Sequence, residues 1–167
     1  MINQSPVLLL IMAAVLNGTP LLFGTVGEIL SEKSGNLNLG VEGMMYMGAF
    51  GGFYVGLKTG NLLLALLAAF AFGMGGALIY AFLTVTLKAN QNVTGLTLTI
   101  FGTGFANFFG EMMIRNTPGG QPKLPENLLG ILAEHPIPLL SSIPFFGKLL
   151  FSHNLLVYLA VVVAVLC

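Results

Sequence analysis

The chain has 167 residues, of which 56% are hydrophobic and only 7% charged, against about 25% charged in an ordinary soluble domain. That composition excludes a soluble enzyme and points to an integral membrane protein. Its six Lys and Arg balance six acidic residues, all of them Glu, so no basic field exists for nucleic acid and no acidic field for a cationic partner.

The opening MINQSP lacks the positive n-region and cleavage site of a secretory signal, so residue 1 onward reads as mature protein. A helix crossing a ~30 Å hydrocarbon core needs about 20 apolar residues. On that criterion spans are expected near residues 6–30, 39–57, 62–87 and 92–113, separated by the hinges SEKSGN, KTGN and KAN. A fifth is expected to begin near Asn154. From there to Cys167 the chain reaches only about 21 Å as helix, so it reads as stopping inside that span, with further helices expected beyond. The fold class is thus an all-α, polytopic transmembrane helix bundle of about five spans, interrupted near residues 31–43.

Glu28, Glu32, Lys33 and Glu42 crowd that interruption, in TPLLFGTVGEILSEKSGNLNLGVEGMMYMGAF. In hydrocarbon an unpaired backbone group costs several kcal/mol, so broken helix at membrane depth survives only inside protein or beside a water-filled cavity. The junction is therefore a pathway candidate. A carboxylate within a span usually faces a bundle interior or cavity, which makes Glu42 a substrate-pathway residue. The alternative is that it serves the exposed N-terminus of the second span. Glu28 sits close enough to the interface for simple hydration. Asn36 and Asn38 are suited to bonding either a polar solute or frayed backbone.

Small residues recur at i+4 in two spans, as Gly48, Gly52 and Gly56 and as Gly102, Ala106 and Gly110, with Ala69, Gly73 and Ala77 as a third stripe. Such faces let backbones approach closely and read as helix packing. The fourth span, KANQNVTGLTLTIFGTGFANFFGE, carries polar atoms without charge, most of them Thr hydroxyls expected to bond back to their own helix. Asn107 beside Phe108, near mid-span, suits a neutral hydroxyl-bearing solute such as a sugar or nucleoside.

Residues 115–153 turn rich in Pro and Gly, which stops helix propagation, and read as an extracellular loop folding back on the membrane or the bundle mouth. No Lys or Arg precedes Lys33, so the first helix is expected to run inward. That places Lys33 and Lys88 inside, with Lys58 and Arg115 outside. No P-loop, G-x-S-x-G, H-E-x-x-H or Cys/His ligand spacing occurs, and His135 and His153 are isolated, so no catalytic residue, metal or cofactor is expected. Cys167 is the single cysteine in these 167 residues, so no disulfide within them is expected.

The blocks GNLNLGVEGMM, LKANQNVTGL and IPFFGKLLFSHNLLVYLA resemble the permease subunits of bacterial ABC importers for nucleosides and simple sugars, a group related to ribose and branched-chain amino-acid permeases. The resemblance covers nearly the whole chain and implies a single permease domain over 1–167. It also implies multi-pass residence in the bacterial cytoplasmic (inner) membrane, and pairing with the same or a sister permease. A cytoplasmic ABC ATPase and an extracellular solute-binding protein or lipoprotein are the other implied partners. Two alternatives from other classes are a non-transporting membrane scaffold, for which the glycine faces would be the whole function, and an ion-coupled carrier using Glu42.

Overall fold

A computed structural model describes residues 6–133 and 153–167. Gly27–Leu129 forms one compact unit and Met1–Val26 with Gly130–Cys167 the other. The described residues hold six α-helices: α1 Pro6–Lys33, α2 Val41–Thr59, α3 Leu62–Ala81, α4 Gln91–Arg115, α5 Glu126–Ile131 and α6 Leu155–Leu166. A π-turn, Phe82–Thr86, prolongs α3, and a 3-10 turn occupies Pro118–Gly120. Among the described residues the fold is all-α, as the composition and hinges led one to expect.

Local chemistry sets the helix ends. Asn61, Asn90 and Asn154 each stand at an N-cap, with side-chain oxygens accepting from the amides of Leu63 (2.9 Å), Val93 (3.1 Å) and Val157 (3.1 Å), which satisfies donors that a helix start leaves open. Gly60 closes α2 in the left-handed region at φ 63°, donating to Gly56 O, a conformation that costs glycine least. In α1, Pro20 removes one donor from the helix interior, and the hydroxyls of Thr19 and Thr25 bond back to Val15 O and Leu21 O at 2.9 Å.

The expected interruption near 31–43 is narrower in the structure. Helix α1 runs through Lys33 and α2 resumes at Val41, leaving only residues 34–40 outside helix.

In the unit Gly27–Leu129, α2 is the central element, flanked by α3 and α4. A Cβ added at Gly48 would meet Ala69 O at 3.0 Å, at Gly52 the Ala69 Cβ at 2.9 Å, and at Gly56 the Ala65 Cβ at 3.3 Å. This order of contacts makes α2 and α3 antiparallel. On the other flank Gly43 and Gly102 face each other so closely that a Cβ on either would overlap backbone, and Gly95 lies against Leu39 N and Gly40 N. Further along, Phe50 meets Phe105 and Phe109 with ring centroids 5.8 Å apart in both pairs, so α2 and α4 run parallel. Gly110, the last member of its stripe, has nothing near it. The rings of Phe50, Phe105 and Phe109 stand between the helices past Gly102 and hold them apart.

The buried cluster of Met44, Tyr80 and Leu98 lies at the end where α1 stops and α2 and α4 begin. Many other large apolar side chains point outward, with Phe70 69% and Ile100 75% exposed. Apolar surface on that scale suits lipid rather than water. The helices Pro6–Lys33 and Leu62–Thr86 are long and apolar enough to cross a membrane. Helices α2 and α4, with 19 and 25 residues, reach about 28 and 38 Å. In the segment expected to be an extracellular loop, the described part contains the 3-10 turn and α5. Residues 134–152, with His135 and the HPIPLLSSIPFF run, lie outside the described residues.

Candidate functional site

The junction between α1 and α2 gathers more polar chemistry than any other place among the described residues. After Lys33 the chain doubles back beside the last turns of α1, so that Asn38 returns to the level of Glu28. Gly35, at φ 88°, makes the reversal possible in a conformation that a side chain resists.

Each carbonyl from Gly35 to Gly40 then finds a donor. Gln91 Nε2 donates to Gly35 O at 3.4 Å, the Ser31 hydroxyl to Asn36 O at 2.8 Å, and the Tyr80 hydroxyl to Leu37 O at 2.6 Å. Val41 N donates to Asn38 O, the Thr99 hydroxyl to Leu39 O at 2.8 Å, and Met44 N to Gly40 O. Three of the amides find side-chain acceptors: Leu37 N donates to Gln91 Oε1 at 2.9 Å, Asn38 N to Glu28 Oε1 at 2.8 Å, and Gly40 N to Asn38 Oδ1 at 3.0 Å. Side chains from α1, α3 and α4 thus replace the missing helical ladder, which is how irregular backbone persists away from water.

Two features set this junction apart from an ordinary turn. Gln91 uses both ends of its amide, since Nε2 also reaches Asn36 Oδ1 at 3.2 Å, and so fastens the start of α4 to residues more than fifty positions upstream. Glu28 spends one carboxyl oxygen on Asn38, while its Oε2 is buried with no hydrogen-bond partner. A buried carboxyl oxygen left bare is costly, so Glu28 is held there by the rest of the network.

The structure brings Asn36 and Asn38 together, both half-buried, and both spend side-chain atoms on the junction itself. Asn38 Nδ2 also reaches Met44 Sδ at 3.7 Å. Glu42 lies in the first turn of α2, exposed. Asn107 and Phe108 are exposed on α4, about 24 Å of helix beyond Gln91. Phe108 lines a shallow hollow with Glu111, Met112 and Arg115, and there Arg115 pairs with Glu111 at 2.6 Å. The residues that sequence reasoning passed over are Ser31, Tyr80 and Gln91; Thr99 belongs to the threonines expected to bond back to their own helix but bonds to Leu39 O instead, and Glu28 was assigned to hydration. Their signal was indirect: GNLNLGVEG and LKANQNVTGL, the two blocks with the most distinctive wording, turn out to bond to each other.

Known proteins resemble the chain over most of its length. Residues 10–167 match the family described as the permease component of branched-chain amino acid transport systems. The chain is 40% identical over 151 residues to a putative glucose ABC transporter permease of Haloferax volcanii, a match covering 90% of this chain and 44% of that protein. It is 32% identical to a nucleoside ABC transporter permease of Lactococcus lactis subsp. cremoris, over 89% of this chain and 47% of the relative. A guanosine ABC transporter permease of Bacillus subtilis is 31% identical, over 86% of this chain and 45% of its own length. The chain therefore spans somewhat under half of each of these relatives. No solved structure matches it.

Proposed function

The chain belongs to the family of permease components of branched-chain amino acid transport systems, and from that premise we propose that it forms part of the permease subunit of an ATP-driven ABC importer for a nucleoside or simple sugar. The observation that carries this reading is the likeness over 86–90% of the chain to relatives named as glucose, nucleoside and guanosine permeases. In this reading the subunit is multi-pass in the cytoplasmic membrane and pairs with a second permease subunit. ATP is hydrolysed by a separate cytoplasmic ATPase, and solute arrives from an extracellular binding protein or lipoprotein.

The helix directions support an alternating path through the membrane. Lys33 and Lys88 fall at the junction end of the unit Gly27–Leu129, while Lys58 and Asn116, the residue after Arg115, line one cavity at the other end. Cations near the short hinges favour the cytoplasm, and two of the three, Lys33 and Lys88, lie at the junction end against Lys58 at the other, which supports the junction end as the inner one. The solute route runs past the exposed Glu42 and the Asn107–Phe108 pair, with Asn36 and Asn38 holding the junction wall beside it.

The test is reconstitution of the full-length permease with its ATPase and receptor in proteoliposomes. ATP-dependent uptake of a nucleoside or sugar that persists when the proton gradient is collapsed is the expected result. Uptake that vanishes with the gradient while ATP is maintained assigns the protein to ion-coupled carriers instead. Glu42→Gln is expected to lower uptake with insertion and assembly unchanged, and wild-type uptake by that variant removes Glu42 from the route.

A further inference from the structure

At the end of the unit away from the junction, α2, α3 and α4 border an open-sided cavity of about 450 Å³, within the range of small-ligand pockets. Its wall is aromatic. Phe50 and Tyr54 stack at 5.9 Å with planes 21° apart, Phe72 stands edge-on to Phe50 at 6.2 Å, and Phe105 and Phe109 lie 4.7 Å apart on the facing helix.

The polar groups that share the cavity are few. Lys58 and Asn116, both exposed, supply an ammonium and a carboxamide, and the Lys58 Nζ stands 6.0 Å from the Tyr54 ring centroid. The Thr117 hydroxyl already donates to Met113 O at 2.8 Å, so it is available to a ligand as an acceptor.

We propose that this aromatic cavity is a docking site for the heterocyclic base of a nucleoside, at the entry end of the permease. The proposal rests on the importer reading and narrows its substrate class. A flat π-system matches walls of aromatic rings, and stacking a base on such a ring is sequence-tolerant and worth about 1–3 kcal/mol. The exocyclic oxygens and ring nitrogens of a purine accept hydrogen bonds, which Lys58 and Asn116 donate. A base without charge leaves the Lys58 ammonium over Tyr54, where the ring face attracts it. Phe105 and Phe109 hold the wall because their i, i+4 spacing puts them on one face of α4. Phe108, one position away, is directed to the hollow shared with Glu111 and Arg115.

The experiment uses the full-length permease complex in proteoliposomes, with 8-azidoguanosine as photoprobe and guanosine and glucose as competitors. The expected result is labelling of peptides that contain Tyr54, Phe105 or Asn116, suppressed by guanosine and not by glucose. Asn116→Ala, an exposed position with no role in packing, and Phe105→Ala are each expected to raise the guanosine KM about tenfold, while Phe105→Tyr keeps it near wild type. Labelling confined to other helices, or an unchanged guanosine KM in both alanine variants, overturns the proposal. A complex that imports glucose but neither binds nor imports guanosine also overturns it and leaves the importer reading intact. Labelling in the cavity without any ATP-dependent uptake upholds the site and overturns the importer reading alone.

Discussion

The two ends of the unit Gly27–Leu129 are built on opposite chemistry. At the junction end, backbone of residues 34–40 is held by side-chain hydrogen bonds from three helices, and glycines bring α2 and α4 into backbone contact at Gly43 and Gly102. At the other end the same two helices are separated by phenylalanine rings, and the space between them is a cavity. The difference teaches that small residues and polar side chains work here as one device. The glycines let the helices come close enough for short hydroxyl and amide side chains to reach the chain between them. Where the glycines give way to Phe, no such bonds join α2 and α4 among the described residues.

The strongest way to break this contrast is to wedge the close end apart. Gly102→Leu puts four carbons where Gly43 backbone lies, and overpacking of that kind costs about 1–3 kcal/mol or more. The expected outcome is loss of monodisperse permease in detergent gel filtration, whereas Gly110→Leu, where nothing stands within 4 Å, leaves the profile unchanged.

Next in size is Glu28→Ala. It strips the acceptor from the Asn38 amide and leaves a donor unsatisfied, a loss of about 1–3 kcal/mol, read as a lower thermal midpoint. Glu28→Gln keeps a carbonyl in place and is expected to lose less than half as much. An alanine variant as stable as wild type would show that Glu28 does not hold the junction.

A smaller effect is expected for Tyr80→Phe, which removes one hydroxyl from Leu37 O and so costs about 0.5–1.5 kcal/mol. It should accelerate amide hydrogen exchange in residues 34–40 and leave the aromatic end untouched. Smallest of all is Gly110→Ala, expected to raise stability by up to about 1 kcal/mol through helix propensity alone.

Much of the frame was legible from the residues. Asn61, Asn90 and Asn154 lie in polar hinges between apolar runs, and each proves to be a cap. The i+4 spacing of Gly48, Gly52 and Gly56 fixed one face of α2, which the structure places on Ala65 and Ala69. The same spacing in Gly102, Ala106 and Gly110 was less informative, because whether a small residue meets a neighbour depends on what the partner helix presents at that level. Opposite Gly102 it presents Gly43, and farther along it presents Phe50.

The junction was legible as a place but not as a network. Glu42 attracted notice because a carboxylate within a membrane span is expensive, and Glu28 was assigned to solvent because it lies near a helix end. Which of them would touch the reversal depended on where the chain turned, and Gly35 set that turn. Pairing Gln91 with Leu37 required knowing that α4 begins beside the end of α1, which no local pattern encodes.

The π-turn at Phe82–Thr86 precedes that pairing in the chain. There Leu87 N reaches back five positions to Phe82 O, at 3.1 Å, so this stretch carries one residue more than an α-helical turn would hold. A π-turn takes up its surplus residue locally, and beyond it residues 87–90 carry the chain over to α4, with Lys88 in the left-handed region at φ 52°. The widened turn acts as an end stop for the third helix, after which a single left-handed residue bends the chain toward the junction that Gln91 fastens.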